Sequence, residues 1–543
     1  MAETNPTTDN NKHQPNLSSK DAEQRERLIS KAQEGLVETT SQPDGVKQPA
    51  VVKDGHLTKA LIFAILSCTI GSSFQFGYHI GCINLPADLI KQWFTESYAY
   101  MHGTTILVDE IESTWAIAVG IFAIGGMFGG IMVGGVADRF GRRQALLYNN
   151  ALAVIAAALM TSAKYVGVYW LIVIGRFIIG LNAGLNSGLA PMYLTEISPP
   201  NLRGSIGSLA QLLVTISILV SQIIGLPFLL GTATLWPLIF AFTLFPVIFQ
   251  VFTLPLCPES PKFNLIVKGR KDQAEKDLKK LRGEDDVSAE LEVINDEAVA
   301  ARSQPQVSMQ AMFKAPLLWP LVLAVFMMLS QQLSGINAAM FYSTTIFKEA
   351  GLKGQWPNYA TILMGAINVL MTVVSVYMVE RLGRRTLHLI GLSGMSVTTA
   401  MIAISMLMSK SISWFSFMSI LFVLLFVISF ATGPGSIPWF YVNEVFPSNA
   451  LGNANSIAVL TNWGANSLVG IFFPVLNGIL DEYVFFVFTV LLVLFIGFAF
   501  KFLPETKNKT LEEIQAEMDH RRGVRSGSTN KMVTEPTATT TNV

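Results

Sequence analysis

The chain has 543 residues, 51% hydrophobic and only 14% charged, where ordinary soluble domains carry about 25% charged residues. Its 38 basic and 38 acidic residues cancel, so no bulk attraction to nucleic acid is implied. Three cysteines are too few for a disulfide framework: Cys68 and Cys82 would stand about 21 Å apart on one helix.

In chain order, residues 1–57 are polar throughout and lack an early apolar core. No cleavable signal is expected there, and the segment reads as a disordered cytosolic tail. Runs free of Asp, Glu, Lys and Arg then follow one another: Ala60–Ala87, Ser113–Ala137, Gln144–Ala163, Phe177–Thr195, Gly204–Pro258, Ala315–Phe347, Gly354–Val379, Thr386–Ser409, Ser411–Asn443, Val445–Leu480 and Tyr483–Phe500. A bilayer core takes roughly 20 apolar residues per helix. Gly204–Pro258 has room for two spans, which brings the number to twelve. The predicted fold class is therefore an all-α membrane protein in two six-helix halves, 58–256 and 316–503. A charged, helix-prone linker (257–315) joins the halves, and a second tail follows (504–543).

An even number of spans puts both termini on one side. The loops on that side hold "DRFGRR", "EISPPNLR", ten Lys and Arg between Cys257 and Lys314, and "ERLGRR". The opposite loops hold only Lys91, Lys164, Lys348, Lys353 and Lys410. The positive-inside rule makes both tails cytosolic, so the sequons at Asn16 and Asn508 should carry no glycan.

The halves also echo each other. "DRFGRR" (138–143) returns as "ERLGRR" (380–385), "EISPPNLRG" (196–204) as "EVFPSNALG" (444–452), and "PESPK" (258–262) as "PETKN" (504–508). Such a parallel repeat marks the major facilitator fold, whose substrate site lies near the midplane between the halves. The charges Arg142, Arg143, Glu196, Arg203, Glu380, Arg384, Arg385 and Glu444 are expected to pair and latch an inner gate. Leu451 stands where the second half would need the counterpart of Arg203.

Polar side chains inside spans are costly unless they face the protein interior. Gln211 and Gln222 lie in the fifth span, Gln331, Gln332 and Asn337 in the seventh, Asn368 in the eighth, and Asn462 and Asn466 in the eleventh. Amides both donate and accept, which suits a neutral, hydroxyl-rich ligand. "QQLSGIN" and "GPGSIP" should break their helices and free backbone groups to line a cavity, with Trp439 beside the second break as a ring platform.

In the first span, "QFGYHIGCIN" (75–84) places Phe76, Ile80 and Asn84 on one stripe. Its polarity is expected to serve a water-accessible path. His79 points away from that stripe and is either a neutral hydrogen-bonded group or a proton carrier. Gly77 and Gly81 should permit close helix approach. Arg176, inside the fourth span, is either a snorkelling side chain or a hydrogen-bond hub.

Taken together, "GRRxxxL", "GRFIIG", "PMYLTEISP", "PESPK", "QQLSGINA", "FYSTTIF", "VERLGRRTLHLIGL", "GPGSIPWF" and "PETK" resemble the facilitative glucose transporters of the sugar-porter family, over about Leu57 to Thr510. The resemblance implies alternating-access transport of hexoses (glucose, with galactose or fructose as further candidates) across the plasma membrane, with the lipid bilayer as surroundings, no cofactor, no metal and no covalent chemistry. It implies that Gln211, Gln331, Gln332, Asn337, Asn368, Trp439 and Asn466 contact the sugar. Phe76, Trp115, Ile218, Ile336, Phe341, Phe430 and Asn462 match pocket-lining positions, and 337–342 lies where the family closes its outer gate.

Three departures stand out: Ala431 where a glutamate is common, "MLS" at 328–330 where "QLS" marks some glucose-selective members, and Ile80 for a threonine. Proton-coupled relatives carry aspartate at the position of His79, and passive ones usually carry asparagine. With no intramembrane carboxylate in the first span, a passive uniporter is the leading reading. A proton symporter, a fructose-preferring carrier and a sugar sensor signalling through its tails are the alternatives. No constellation of nucleophile, base and metal suggests an enzyme.

Overall fold

An uncharged run in hydrocarbon must satisfy its own backbone amides, and a helix does so within a single segment. The computed structural model describes residues 55–303, 307–412 and 414–523 and is helical at each of the uncharged runs. Eleven stretches are long and apolar enough to cross a membrane. The last, Asn449–Phe502, is two spans: a helix Ser448–Leu480 and a helix Val484–Phe502, joined by a turn at Asp481–Tyr483. Twelve spans result. The first six are Lys59–Gly81, Val108–Phe140, Arg142–Val166, Trp170–Ile197, Arg203–Ile224 and Pro237–Leu256. Leu318–Glu349, Trp356–Leu382, Arg384–Ser409 and Phe415–Val445 precede the final pair.

Among the described residues four spans are not single helices, the sixth being Pro237–Ala241 and Leu244–Thr253 parted at Phe242–Thr243. The seventh breaks between Gln332 and Ile336, with Gly335 at a φ of 95°, and the tenth breaks between Thr432 and Ile437. These are the two breaks the sequence leads one to expect. The first span also contains a π-helical stretch, Thr69–Ser73, for which the sequence offers no signal.

The sequence repeats fold into one module used twice. Gly141 and Gly383 take φ values of 90° and 86°, which glycine adopts at little cost, and each starts a helix at the next residue. The orphan N–H groups of those helix starts find carboxylates. Glu259 Oε1 accepts from the backbone of Arg142 (3.1 Å) and Arg143 (3.0 Å). Glu505 accepts from the backbone of Arg384 (2.8 Å) and Arg385 (3.1 Å). Burial pushes the Glu259 carboxyl up, and backbone N–H donors oppose this by favouring its ionised form. In the same modules Arg142 pairs with Glu196 at 2.9 Å and Arg384 with Glu444 at 2.8 Å. Ser260 and Thr506 donate their hydroxyls to those same glutamates.

The linker forms helices at Lys271–Arg282 and Ser288–Ser303. Arg282 ties them together through Glu290 (2.6 Å) and binds the end of the fourth span through the Ile197 carbonyl (2.8 Å). Thr58 caps the first span and donates to the Leu281 carbonyl at 2.7 Å. After the last span, a capping box at Thr510 and Glu513 starts the helix Leu511–Arg522, which buries Ile514 and Met518.

Arg176 is wholly buried, so the hub reading holds and the snorkelling one does not. Its guanidinium donates to the carbonyls of His79 (2.9 Å) and Ala118 (3.2 Å) and lies 4.4 Å from the Phe122 ring centre. Substitution Arg176→Leu removes both charge-assisted bonds, each worth roughly 1.5–3 kcal/mol. We expect a melting temperature several degrees lower in detergent, with reduced surface expression. An unchanged melting temperature would show that the hub is dispensable.

Candidate functional site

The broken seventh span and the eleventh span bring four amides together. Gln331 Nε2 donates to the carbonyls of Pro434 and Gly435, both at 2.8 Å, and so binds the break of the tenth span. Gln331 Oε1 accepts from Asn462 Nδ2 at 2.6 Å. Gln332 Nε2 donates to Asn462 Oδ1 at 2.8 Å, and Asn337 donates to Gln332 Oε1. Asn466 follows one turn along from Asn462, and its buried Oδ1 has no partner among the described residues. The cluster therefore satisfies most of its own groups, while each amide retains the capacity to exchange a neighbour for a hydroxyl.

The other expected contacts are not tied to it by hydrogen bonds. The side chains of Gln211 and Asn368 make none among the described residues; Asn368 is buried and Gln211 half-buried. Trp439 and Phe430 are half-buried beside the break of the tenth span. Phe76 packs on Trp463, with ring centres 5.5 Å apart. Ile218, Ile336 and Phe341 are buried, and Trp115 lies beneath Phe94.

Most of the polarity of 75–84 serves packing within one half, contrary to the expected water-accessible path. Gln75 donates to Asn150 (2.8 Å), and Tyr78 donates to the Ile239 carbonyl (2.7 Å). His79 Nε2 lies 2.8 Å from Thr243 Oγ1 on the sixth span, so it faces a neighbouring helix as its position predicts. A Cβ on Gly77 or Gly81 would collide with Ser217 or Ser221 of the fifth span, the close approach expected of these glycines.

Asn84, expected in the pocket, sits in the seam between the halves. Its Nδ2 donates to the Met340 carbonyl (3.0 Å) and to Ser343 Oγ (2.6 Å), and its Oδ1 accepts from the Thr344 backbone (3.3 Å). Nearby, Asp88 pairs with Lys348. These bonds close the face remote from the linker.

The inner-gate charges behave otherwise. Arg142–Glu196 and Arg384–Glu444 each lie within one half and are formed while the remote face is closed. Arg143 and Arg385 donate to the Cys257 (2.8 Å) and Phe500 (2.9 Å) carbonyls, again within a half. The buried Nε of Arg203 has no partner among the described residues, and the Glu380 side chain lies outside the described set. Sequence reasoning missed Glu259 and Glu505 as the caps of these modules, although the "PESPK" and "PETKN" repeat was their signal. Among the described residues no group of three His, Cys, Asp or Glu is placed to hold a metal.

Two like halves of six spans, with a neutral amide cluster between broken helices, define a membrane carrier of the major facilitator type. A family model described as "Sugar (and other) transporter" matches residues 64–518, and the chain belongs to that family. It is 54% identical over 486 residues to "Facilitated glucose transporter protein 1" of Caenorhabditis elegans, covering 89% of this chain and 95% of that protein. It is 43% identical to the human "Solute carrier family 2, facilitated glucose transporter member 3", covering 84% and 92%. Among solved structures, the proton:xylose symporter XylE bound to 6-bromo-6-deoxy-D-glucose matches with a TM-score of 0.72 at 26% identity, covering 85% of this chain and all of that one.

The Asn84 bonds make a prediction about the seam. The three native cysteines are buried, so a single added cysteine in Met340→Cys reports accessibility with little background. Adding Asn84→Ala removes all three bonds and should raise its labelling by an impermeant maleimide at least roughly 2–10-fold, the equivalent of one such bond. An unaltered rate would show that Asn84 does not hold the face shut.

Proposed function

We propose that the protein is a passive carrier of hexoses, D-glucose first, working by alternating access in the plasma membrane with both termini in the cytosol. The observation that carries the reading is the chemistry of the site. Five neutral amides (Gln331, Gln332, Asn337, Asn462 and Asn466) gather around the broken seventh span, and amides match hydroxyls of a sugar without demanding charge. Coupling to protons needs a group that gains and loses a proton inside the membrane. The buried Arg176 is met by backbone carbonyls and a phenyl ring, and no salt bridge reaches it among the described residues. The linker face, rich in Lys and Arg, is then the cytosolic side, and the face closed by Asn84 is the outer one. Gln211, Asn368 and Trp439 complete the sugar's surroundings, and Ala431, Met328 and Ile80 bear on which hexose is preferred. The names of the relatives, facilitated glucose transporters, support the same reading.

Radiolabelled uptake of glucose, galactose and fructose, with mutual competition, in a host lacking hexose carriers should show saturable glucose entry. Gln332→Ala should lower that uptake about tenfold at unchanged surface expression; undiminished uptake would remove Gln332 from the site. In proteoliposomes, glucose should equilibrate without accumulating under an imposed pH gradient. Accumulation, or sugar-driven alkalinisation outside, would overturn the passive reading. Between about pH 5.5 and 8, uptake by wild type and His79→Asn should follow the same profile. Divergent profiles would make His79 a participant.

A further inference from the structure

The fifth span carries more of the sugar path than the amide cluster requires. Gln211, Ile218 and Gln222 are spaced by seven and four residues, so all three point within about 20° of one direction on the helix. Gln222 stands about 16 Å further toward the outer face than Gln211. It is fully buried, yet neither its Oε1 nor its Nε2 has a hydrogen-bond partner among the described residues. An amide that glued two helices would bond across to its neighbour. Here the eighth span presents Gly365 instead, and a Cβ at that position would collide with Gln222 Oε1. One turn along the eighth span from Gly365 lies Asn368, a buried residue whose side chain is also free of hydrogen bonds among the described residues. The outer closure thus presses a glycine onto an amide and leaves the amide unmatched, which disfavours the closed state.

We propose that Gln222 is a sugar contact of the outward-open state. When the fifth and eighth spans part, its amide takes a hydroxyl of the entering hexose, before the sugar reaches Gln211 and the cluster around Gln332. This rests on the hexose-carrier reading. The contact belongs to entry from outside and is lost when the outer face closes, so it sets affinity on one side of the membrane only.

The test compares entry and exit of radiolabelled D-glucose under zero-trans conditions, with deoxyglucoses as outside competitors. Gln222→Met keeps length and apolar bulk but removes the amide. Entry KM should rise about 3–10-fold, while exit KM stays within about twofold. One deoxyglucose that wild type discriminates against from outside should lose that handicap in the variant. An unchanged entry KM, or entry and exit KM rising together, would overturn the proposal. Should Gln222→Met not reach the membrane, Gln222→Asn, whose amide is one methylene short, is read on the same two constants with the same criteria. Absence of glucose flux in the wild type would overturn the carrier reading, and this inference with it.

Discussion

Inside a membrane a polar side chain must be matched by another protein group, and where these matches fall decides which parts of this molecule move together. Within the first half they are dense. Gln75, Asn150 and Gln250 form a chain of amides through the first, third and sixth spans, and Asn149 bonds to Asn186 and to the Asn182 carbonyl of the fourth. Arg176 adds a link from the fourth span to the first and second. Between the halves, by contrast, the described hydrogen bonds are those of Asn84 and the Asp88–Lys348 pair. An exposed ion pair contributes little, so a few neutral bonds hold the face remote from the linker. Strong matching within a half and weak matching between halves is the distribution that rocking of rigid bodies requires.

The repeated modules on the linker face extend the same logic. A glycine start, a capping glutamate and an Arg–Glu pair fix three helix ends to one another in each half. Since neither module reaches the other half, each stiffens its own body. Thr58, Arg282 and the Leu281 carbonyl fasten the linker helices to the first half, so that element travels with it.

The sequence made the architecture legible because charge is expensive in hydrocarbon: the uncharged runs mark the spans, and the repeated motifs mark the halves. The breaks at "QQLSGIN" and "GPGSIP" were also readable, since glycine and proline leave few helical alternatives there. The amide cluster was readable residue by residue, but its wiring was not. Nothing in the one-dimensional pattern says that Gln331 binds the carbonyls beyond Pro434, or that Asn84 turns to the seam while Gln75 turns inward. Helical position turned His79 toward a neighbouring helix, in agreement with its contact to Thr243, because only direction was asked of it. The π-helical stretch at Thr69–Ser73 and the capping by Glu259 depend on contacts between distant segments, and no local preference announces them.

The breaks also differ between the halves. The two broken helices that meet the amide cluster, the seventh and the tenth, belong to the second half, and Gln331 bridges one to the other. In the first half the first span has a π-helical bulge and the sixth a two-residue interruption at Phe242–Thr243. In the second half, among the described residues, two breaks are stapled together by one amide, the same amide proposed to meet the sugar. A ligand that takes Gln331 away from those carbonyls would unpin both joints at once, so occupancy of the site would itself loosen the part of the protein that has to bend.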